Sequence, residues 1–451
     1  MSFTKPQLSF WQIFNMNVGF FGIQYSFGLQ QTAINPLYTF LHARPEELPL
    51  LNLAGPMTGL LIQPIIGALS DKTWHPRWGR RKPYFLIGAI FCSLSLFLFP
   101  FSRALWMAVG LLWILDAANN TAMEPYRAFI ADKLSASQRA LGFLTQSFFT
   151  GLGITLANLS LYFFQRIITG QTMTLDGQSG IPYWVFGSFF VGAICSIGSV
   201  LWSVSTTPEI PPTDEELKIL RAHPKGVLAP FREIIAAIKD MPTSLWQLAL
   251  VYLFQWYAMF VYFQFVSHSI AKSVWHTTSQ INSKLYEEAV GWTGLVNGFY
   301  NIVTFMSAFG LVWLTRKMSA KHVHMTCLAF AAISLFILPH IENKYWLFAP
   351  MIGFGVAWAS MMGVPYIMVV GSIPKERYGV YMGIINMMIV VPMIIQTLSF
   401  GFVYKNLLGE DPGLAITFAG SLLLVASLAT LLIKVAKSDD DLMTNPNMDT
   451  K

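Results

Sequence analysis

WILDAANNTAMEPYRAFIADKL, from Trp113 to Leu134, lies among other apolar segments, yet it contains an Asp, two adjacent Asn, a Glu and an Arg. The stretch is long enough to cross a bilayer as a helix. An ionisable residue in hydrocarbon is costly and normally faces a water-filled path or a partner. Three such residues in one segment point to a transport route through a membrane protein. At about 100° per residue, Asp116, Asn119, Asn120, Glu124 and Arg127 share one helix face of roughly 140°. Glu124 and Arg127 are three apart and can pair directly. Asp116 lies about 16 Å along the axis from Arg127, so it needs another partner, water or a proton.

The composition fits that reading. Of 451 residues, 54% are hydrophobic and only 12% charged, about half the charge of a soluble domain. Phe, Trp and Met are abundant, as expected for lipid-facing helices and aromatic belts. The net charge of +6 could suggest nucleic acid, but the basic residues fall in short loops between apolar runs, so it reads as a topology signal. Cys92, Cys195 and Cys327 all lie in apolar segments, which argues against disulfides and a Cys-rich metal site. The first apolar stretch starts near Phe10 and is too long for the apolar core of a cleavable signal.

Taking roughly 17–25 residues as a spanning helix, the chain contains twelve: 11–40, 49–70, 84–102, 105–132, 139–166, 182–205, 244–268, 288–314, 321–340, 345–372, 377–404 and 412–435. With both termini in the cytoplasm, 21 of the 29 Lys and Arg fall in cytoplasmic segments and seven in outer ones, the bias that sets orientation. The fold class is therefore an all-α membrane protein with twelve transmembrane helices. Residues 1–205 form an N-terminal six-helix bundle, 206–243 a cytoplasmic linker, 244–435 a C-terminal six-helix bundle and 436–451 a cytoplasmic tail. The linker contains PEIPP, DEELKILRAH and an amphipathic piece near Phe231–Ile238, which would lie along the inner surface. The halves echo each other. Glu124-Pro125-Tyr126 in span four matches Val364-Pro365-Tyr366 in span ten, and RALGF from Arg139 resembles RYGVYMG from Arg377. Repeated halves with binding at their interface are the layout of many secondary transporters. Span four carries Asp116, Glu124 and Arg127, while span ten has no ionisable residue in its middle, so ion handling is expected in the N-terminal half.

The loop after span two reads GALSDKTWHPRWGRRKP, from Gly67 to Pro83. Gly67 allows close packing, Asp71 can bridge to arginines at the inner surface, and Arg80, Arg81 and Lys82 can anchor at anionic headgroups. By itself the basic run reads as positive-inside anchoring; with Gly67 and Asp71 it resembles the inner-loop signature of the major facilitator superfamily, which implies a role in gating. Together with GIQYSFGLQ (from Gly22), LAGPMTGLLIQPIIGALSD (from Leu53), RWGRRKP (from Arg77), LDAANN (from Leu115), PYRAFIAD (from Pro125) and GVYMGIINMMIVVP (from Gly379), it resembles the sucrose-transporter branch of the major facilitator superfamily. That branch holds plant sucrose–proton symporters, their animal relatives and bacterial homologues. The resemblance covers most of the chain. It implies the two-bundle fold and proton-coupled uptake of a disaccharide or similar glucoside. It also implies an acidic proton site in span four, the position of Asp116. The chain departs from plant members at Met123 and Glu124, where they have small or amide residues. Span five carries Gln146 and Asn158 and lacks the arginine of plant members. These departures put maltose beside sucrose as the expected sugar.

The chemistry of the residues agrees on proton coupling. No histidine falls near a span centre, with His268 at the outer end of span seven, so carboxylates are the proton carriers. Burial favours the neutral form of a carboxyl group, which suits Asp116 as the proton site; the alternative is a permanently ionised structural group paired with a residue on another helix. Glu124 with Arg127 is either a second proton site or a gating ion pair. Sugar hydroxyls need polar partners and sugar rings an aromatic face. Span one offers Gln24, Gln31 and Asn35 along one face with Tyr25 beside them, and span four offers Asn119 and Asn120. The C-terminal half offers Gln255, Trp256, Gln264, Asn297, Asn301, Asn386 and Gln396, with Trp256 and Trp358 as stacking platforms. Any one of these amides serves equally well as an interhelical hydrogen bond. Prolines 36, 56, 64, 125, 365 and 392 within spans mark kinks.

The expected function is proton-coupled symport of sucrose, maltose or a related glucoside by alternating access. The partners are a small-molecule sugar, a proton and the lipid bilayer. No nucleic acid, cofactor or metal is expected, and the protein is read as a monomer in the cell inner (plasma) membrane. An uncoupled sugar facilitator and a Na⁺-coupled glycoside symporter are the alternatives. A sugar sensor would call for a long signalling domain. An enzyme is not expected, since no nucleotide-binding loop, His-rich metal site or nucleophile constellation is present.

Overall fold

The computed structural model describes residues 7–76, 78–209, 211, 237–278, 283–369, 372–373 and 378–434. Long helices joined by short loops make up the chain. The first half contains α1 (Phe10–Phe40), α2 (Ala54–Lys72), α3 (Lys82–Leu98), α4 (Leu105–Lys133), α5 (Ala136–Ile167) and α6 (Tyr183–Thr206). The second contains α7 (Thr243–Trp275), α8 (Ser283–Lys317), α9 (Ala320–Ile337), α10 (Phe348–Val369), α11 (Tyr378–Asn406) and α12 (Pro412–Thr430). Short loops force successive helices to run antiparallel. The starts of α1 and α7 and the ends of α6 and α12 therefore share one end of the molecule, called the base below; the opposite end is the crown.

Packing repeats between the halves. In the first, α1 lies against α5 and α6, α3 against α4 and α6, and α2 against α4. In the second, α7 lies against α11 and α12, α9 against α10 and α12, and α8 against α10. Each pairing recurs six helices later, so the short sequence echo is a whole-fold repeat. Close packing of α1 depends on glycine. A Cβ on Gly22 would stand 2.3 Å from the Cys195 carbonyl and 2.5 Å from Ser196 Cα on α6.

Helix limits follow the sequence expectation to within a turn at most ends. Two places differ. Residues 171–182 hold an antiparallel hairpin, β1 (Gln171–Met173) with β2 (Ser179–Pro182), turned at Asp176-Gly177, where Gly177 has φ +73°. That dipeptide favours a hairpin turn, but a ladder this short leaves no periodicity to read. Helix α7 also continues to Trp275, placing His268 about two turns inside it. Ser267, His268 and Ser269 are all buried, so packing sustains the helix where polarity suggested its end. The linker's amphipathic piece near Phe231–Ile238 falls largely outside the described residues.

Among the described residues, nine helical stretches are long and apolar enough to cross a membrane. Helices α1, α4 and α8 are not among them. They are equally long, but they carry Asp116 and many of the buried amides, and those polar groups lower their hydropathy.

Candidate functional site

The two halves meet most closely at the crown. His268 Nε2 of α7 lies 3.1 Å from Thr39 Oγ1 of α1 and 3.2 Å from the Tyr286 hydroxyl of α8. Phe40 packs edge-on against both Tyr286 and Trp184, at 5.8 and 6.2 Å between ring centres. The Trp184 indole donates to Glu287 Oε2 at 3.1 Å, and Gln165 donates to the Glu287 carbonyl. Ala271, Tyr286, Ala289 and Val290 of the second half belong to the apolar cluster of the first. A step deeper, Asn35 donates to the Phe263 carbonyl at 3.3 Å and accepts from Asn52 at 2.6 Å. Asn297 of α8 donates to Thr32 of α1 at 3.1 Å and accepts from the Tyr262 hydroxyl at 2.8 Å; Thr32 in turn donates to Asn158 of α5. A Cβ on Gly294 would stand 2.6 Å from the Asn158 carbonyl, so this face of α8 must stay small to meet α5. The crown is shut.

Asp116 lies in this middle layer and is 5% exposed. Gln30 of α1 faces its carboxylate, and Gly55 of α2 is so placed that a Cβ there would lie 3.7 Å from Oδ2. Among the described residues no Lys or Arg forms an ion pair with it. An ionised carboxylate buried without a cation is costly, and taking up a proton removes that cost. One turn along, Asn120 donates to the Asp116 carbonyl at 2.9 Å and to Thr58 at 3.1 Å, and accepts from Gln63 at 2.7 Å. Gln63 accepts from Asn386 of α11 at 2.8 Å. Asn119 donates to Ser26 of α1 at 2.8 Å. Glu124, whose side chain lies outside the described set, and Arg127, which is exposed, sit towards the base.

The expected sugar residues are divided by the fold. Asn119 and Asn120 share the Asp116 stretch of α4, and Asn386 is joined to it through Gln63; Asn35 and Asn297 bond to Phe263 and Thr32 nearer the crown. Gln24 and Tyr25 are buried and Gln31 half-buried on α1. Asn301 is buried and donates to the Asn297 carbonyl one turn back in α8. Three of the amides, Gln255, Gln264 and Gln396, turn into the second bundle instead. Gln255 Oε1 lies 3.2 Å from His324 Nε2, and His324 Nδ1 lies 2.9 Å from Ser360; all three are fully buried. Gln396 exchanges amide hydrogen bonds with Gln264 at 2.8 and 3.4 Å. Trp256 and Trp358 stack edge-on at 6.0 Å, and the Trp256 indole N–H has no hydrogen-bond partner among the described residues.

The basic loop at the base is built differently from the expectation of headgroup anchoring. Arg81 is 4% exposed. Its Nε donates to Asp132 of α4 at 2.9 Å and its guanidinium to Ser70 of α2 at 2.6 Å, because the chain turns it inward against two helix ends. Ser70 donates to the Gly67 carbonyl at 3.0 Å. The backbone N–H groups of Arg80, Arg81 and Lys82 donate to the Glu209 carboxylate at 2.7 to 3.0 Å. Arg80 Nε also lies 3.4 Å from the Ser70 carbonyl. The side chain of Asp71 lies outside the described set.

Sequence reasoning passed over Gln30, Gln63, Thr32, His268, His324, Asp132 and Glu209. For Gln63 a signal existed: it is the only amide in the apolar run from Leu53 to Ile66. Asp132 and Glu209 are acids at helix ends on the side of the basic loop, a charge complement that could have been read.

A helical protein with two repeating halves, membrane-length helices and a polar layer between the halves is a multi-pass membrane protein. The model of the Major Facilitator Superfamily matches residues 16–397, and the chain belongs to that superfamily. It is 23% identical over 440 residues to sucrose transport protein SUT5 of Oryza sativa subsp. indica, covering 84% of this chain and 79% of that protein. It is 24% identical over 467 residues to sucrose transport protein SUC4 of Arabidopsis thaliana, covering 92% and 89%. Among solved structures, nucleoside transporter NupG superposes with a TM-score of 0.67 at 13% identity, covering 95% of this chain and 99% of that one. A D-xylose-proton symporter superposes with a TM-score of 0.64 at 14% identity, covering 94% and 97%. The structural likenesses establish the fold.

Proposed function

We propose that this protein is a proton-coupled symporter of a disaccharide, sucrose before maltose, working by alternating access. All twelve long helices cross the membrane in this reading. The base is cytoplasmic and carries both termini, the protein acts as a monomer, and the membrane is the cell's inner (plasma) membrane. The single observation that carries the reading is Asp116: buried, paired with no cation among the described residues, and one helical turn from Asn120. Proton uptake there removes the cost of a buried charge, so protonation and closure around a sugar favour each other. The sucrose transport relatives favour sucrose. Glu124 and Arg127, near the base, serve release to the cytoplasm. Gly67, Asp71, Arg80 and Arg81 belong to the base gate.

The test is uptake of labelled sucrose and maltose into proteoliposomes, with and without an inside-alkaline pH gradient. Accumulation above equilibrium only with the gradient is the expected result. Equilibration indifferent to pH would make the protein a facilitator and Asp116 a structural group. Accumulation driven only by Na⁺ would replace the proton with that ion.

A further inference from the structure

Between the halves runs a relay of amides that the proposed symport does not by itself use. Gln63 stands at the middle of α2. It donates from Nε2 to Asn120 Oδ1 at 2.7 Å and accepts at Oε1 from Asn386 Nδ2 at 2.8 Å. Asn120 spends its own two N–H groups on Thr58 Oγ1 and on the main-chain carbonyl of Asp116. The relay therefore begins on the helical turn that holds Asp116 and ends on α11 of the opposite half. The other hydrogen bonds described between the halves, at Asn297–Thr32, Asn35–Phe263, Thr39–His268, Trp184–Glu287 and Gln165–Glu287, lie nearer the crown. Gln63 and Asn386 are only half-buried, whereas Asn120 is 4% exposed.

An amide side chain offers both donors and an acceptor, and a sugar hydroxyl likewise donates and accepts. A hydroxyl arriving between the halves can replace either partner of Gln63 and leave no polar group unpaired. An apolar solute cannot, because breaking the relay would then cost the desolvation of each orphaned group. We propose that Gln63 is the positioning residue that links sugar occupancy to Asp116. In the empty carrier it ties the Asp116 turn, through Asn120, to Asn386. Sugar hydroxyls take over Asn386, Gln63 lets go of α11, and the Asp116 turn is freed to move with its own half. The inference rests on the proton–sugar reading above and assigns its coupling to a residue that touches neither the proton nor the crown gate.

The experiment uses the full chain in proteoliposomes: wild type, Gln63→Met, Asn386→Leu and the double variant. Two quantities are measured with labelled sucrose, namely accumulation under an inside-alkaline gradient and counterflow without a gradient. Counterflow needs binding and rocking but no coupling. Gln63→Met is expected to lower accumulation about fivefold or more, the worth of one hydrogen bond, while counterflow stays within about twofold. Asn386→Leu, which cuts the same bond from the other side, should lower the ratio of accumulation to counterflow equally. The double variant should lower it no further, since serial links are not additive. Wild-type accumulation in Gln63→Met would overturn the inference. So would a fall of counterflow in step with accumulation in Gln63→Met, or a multiplicative loss of the accumulation-to-counterflow ratio in the double variant. A wild type that does not accumulate sucrose under the pH gradient would overturn the symport reading itself, and this inference with it.

Discussion

Arg81 and Asp132 clasp two helix ends at the base. The Arg81 Nε lies 2.9 Å from Asp132 Oδ2, and the arginine side chain is 5% exposed while the aspartate is 43% exposed. The pair joins the start of α3 to the end of α4, and the same guanidinium holds Ser70 at the end of α2. The ends of three helices of the first half are thus tied together.

The asymmetry of exposure within that pair sets what mutation does. Asp132→Ala leaves a guanidinium buried with part of its partners gone, and should lower stability by about 1–3 kcal/mol, less than a fully buried pair because solvent reaches the aspartate. Adding Arg81→Met to Asp132→Ala should restore part of the loss, since the orphaned charge is then removed. Thermal unfolding of the purified protein in detergent checks both, and a double variant weaker than Asp132→Ala by the full Arg81→Met cost would show that the pair is not the issue.

Gly79 has φ +73°, a left-handed conformation that costs a side-chain-bearing residue about 1–2 kcal/mol. A Cβ there would also stand 2.4 Å from the Glu209 carboxyl carbon, displacing the cap on the Arg80–Lys82 backbone. Gly79→Ala should therefore destabilise the base by about 2–3 kcal/mol and speed proteolysis in the segment after Thr206. Unchanged proteolysis would mean that Glu209 does not anchor that segment.

At the crown, Thr39→Val and Trp184→Phe each delete one hydrogen bond across the halves. Each should raise the crown-open population about fivefold, the equivalent of roughly 1 kcal/mol. Spin labels at Leu175 and Tyr345, exposed crown positions on opposite halves, report the separation. A distance distribution unmoved by both substitutions would show that apolar packing around Phe40 and Tyr286 holds the crown shut alone.

Asp116→Asn keeps the shape of the side chain and removes its charge. Accumulation of sucrose under a pH gradient should fall to the equilibrium level, and counterflow should persist. Thermal stability should stay the same or rise, because no cation loses its partner. Full pH-driven accumulation in this variant would exclude Asp116 as the proton site, and a large loss of stability would reveal a structural role.

Much of the architecture was legible along the chain because hydrocarbon accepts only satisfied backbone. Apolar stretches such as 84–102 and 412–435 therefore announced their helices with nearly the observed limits, and the Val364-Pro365-Tyr366 echo of Glu124-Pro125-Tyr126 pointed to the repeat that packing displays. Asp116 was legible for a related reason: a charge in an apolar helix is too costly to be accidental. What an amide does was not legible. Gln255 and Asn386 look alike as polar residues in apolar helices, yet one turns to His324 inside a bundle and the other reaches across to Gln63. Helical periodicity gives a residue's angle around its own axis, but the neighbour at that angle depends on how the helices are arranged in space. Arg81 shows the same limit. Its charge marked the base of the molecule, and only the convergence of the ends of α2 and α4 decided that it would be buried against Ser70 and Asp132 and not solvated at the membrane surface.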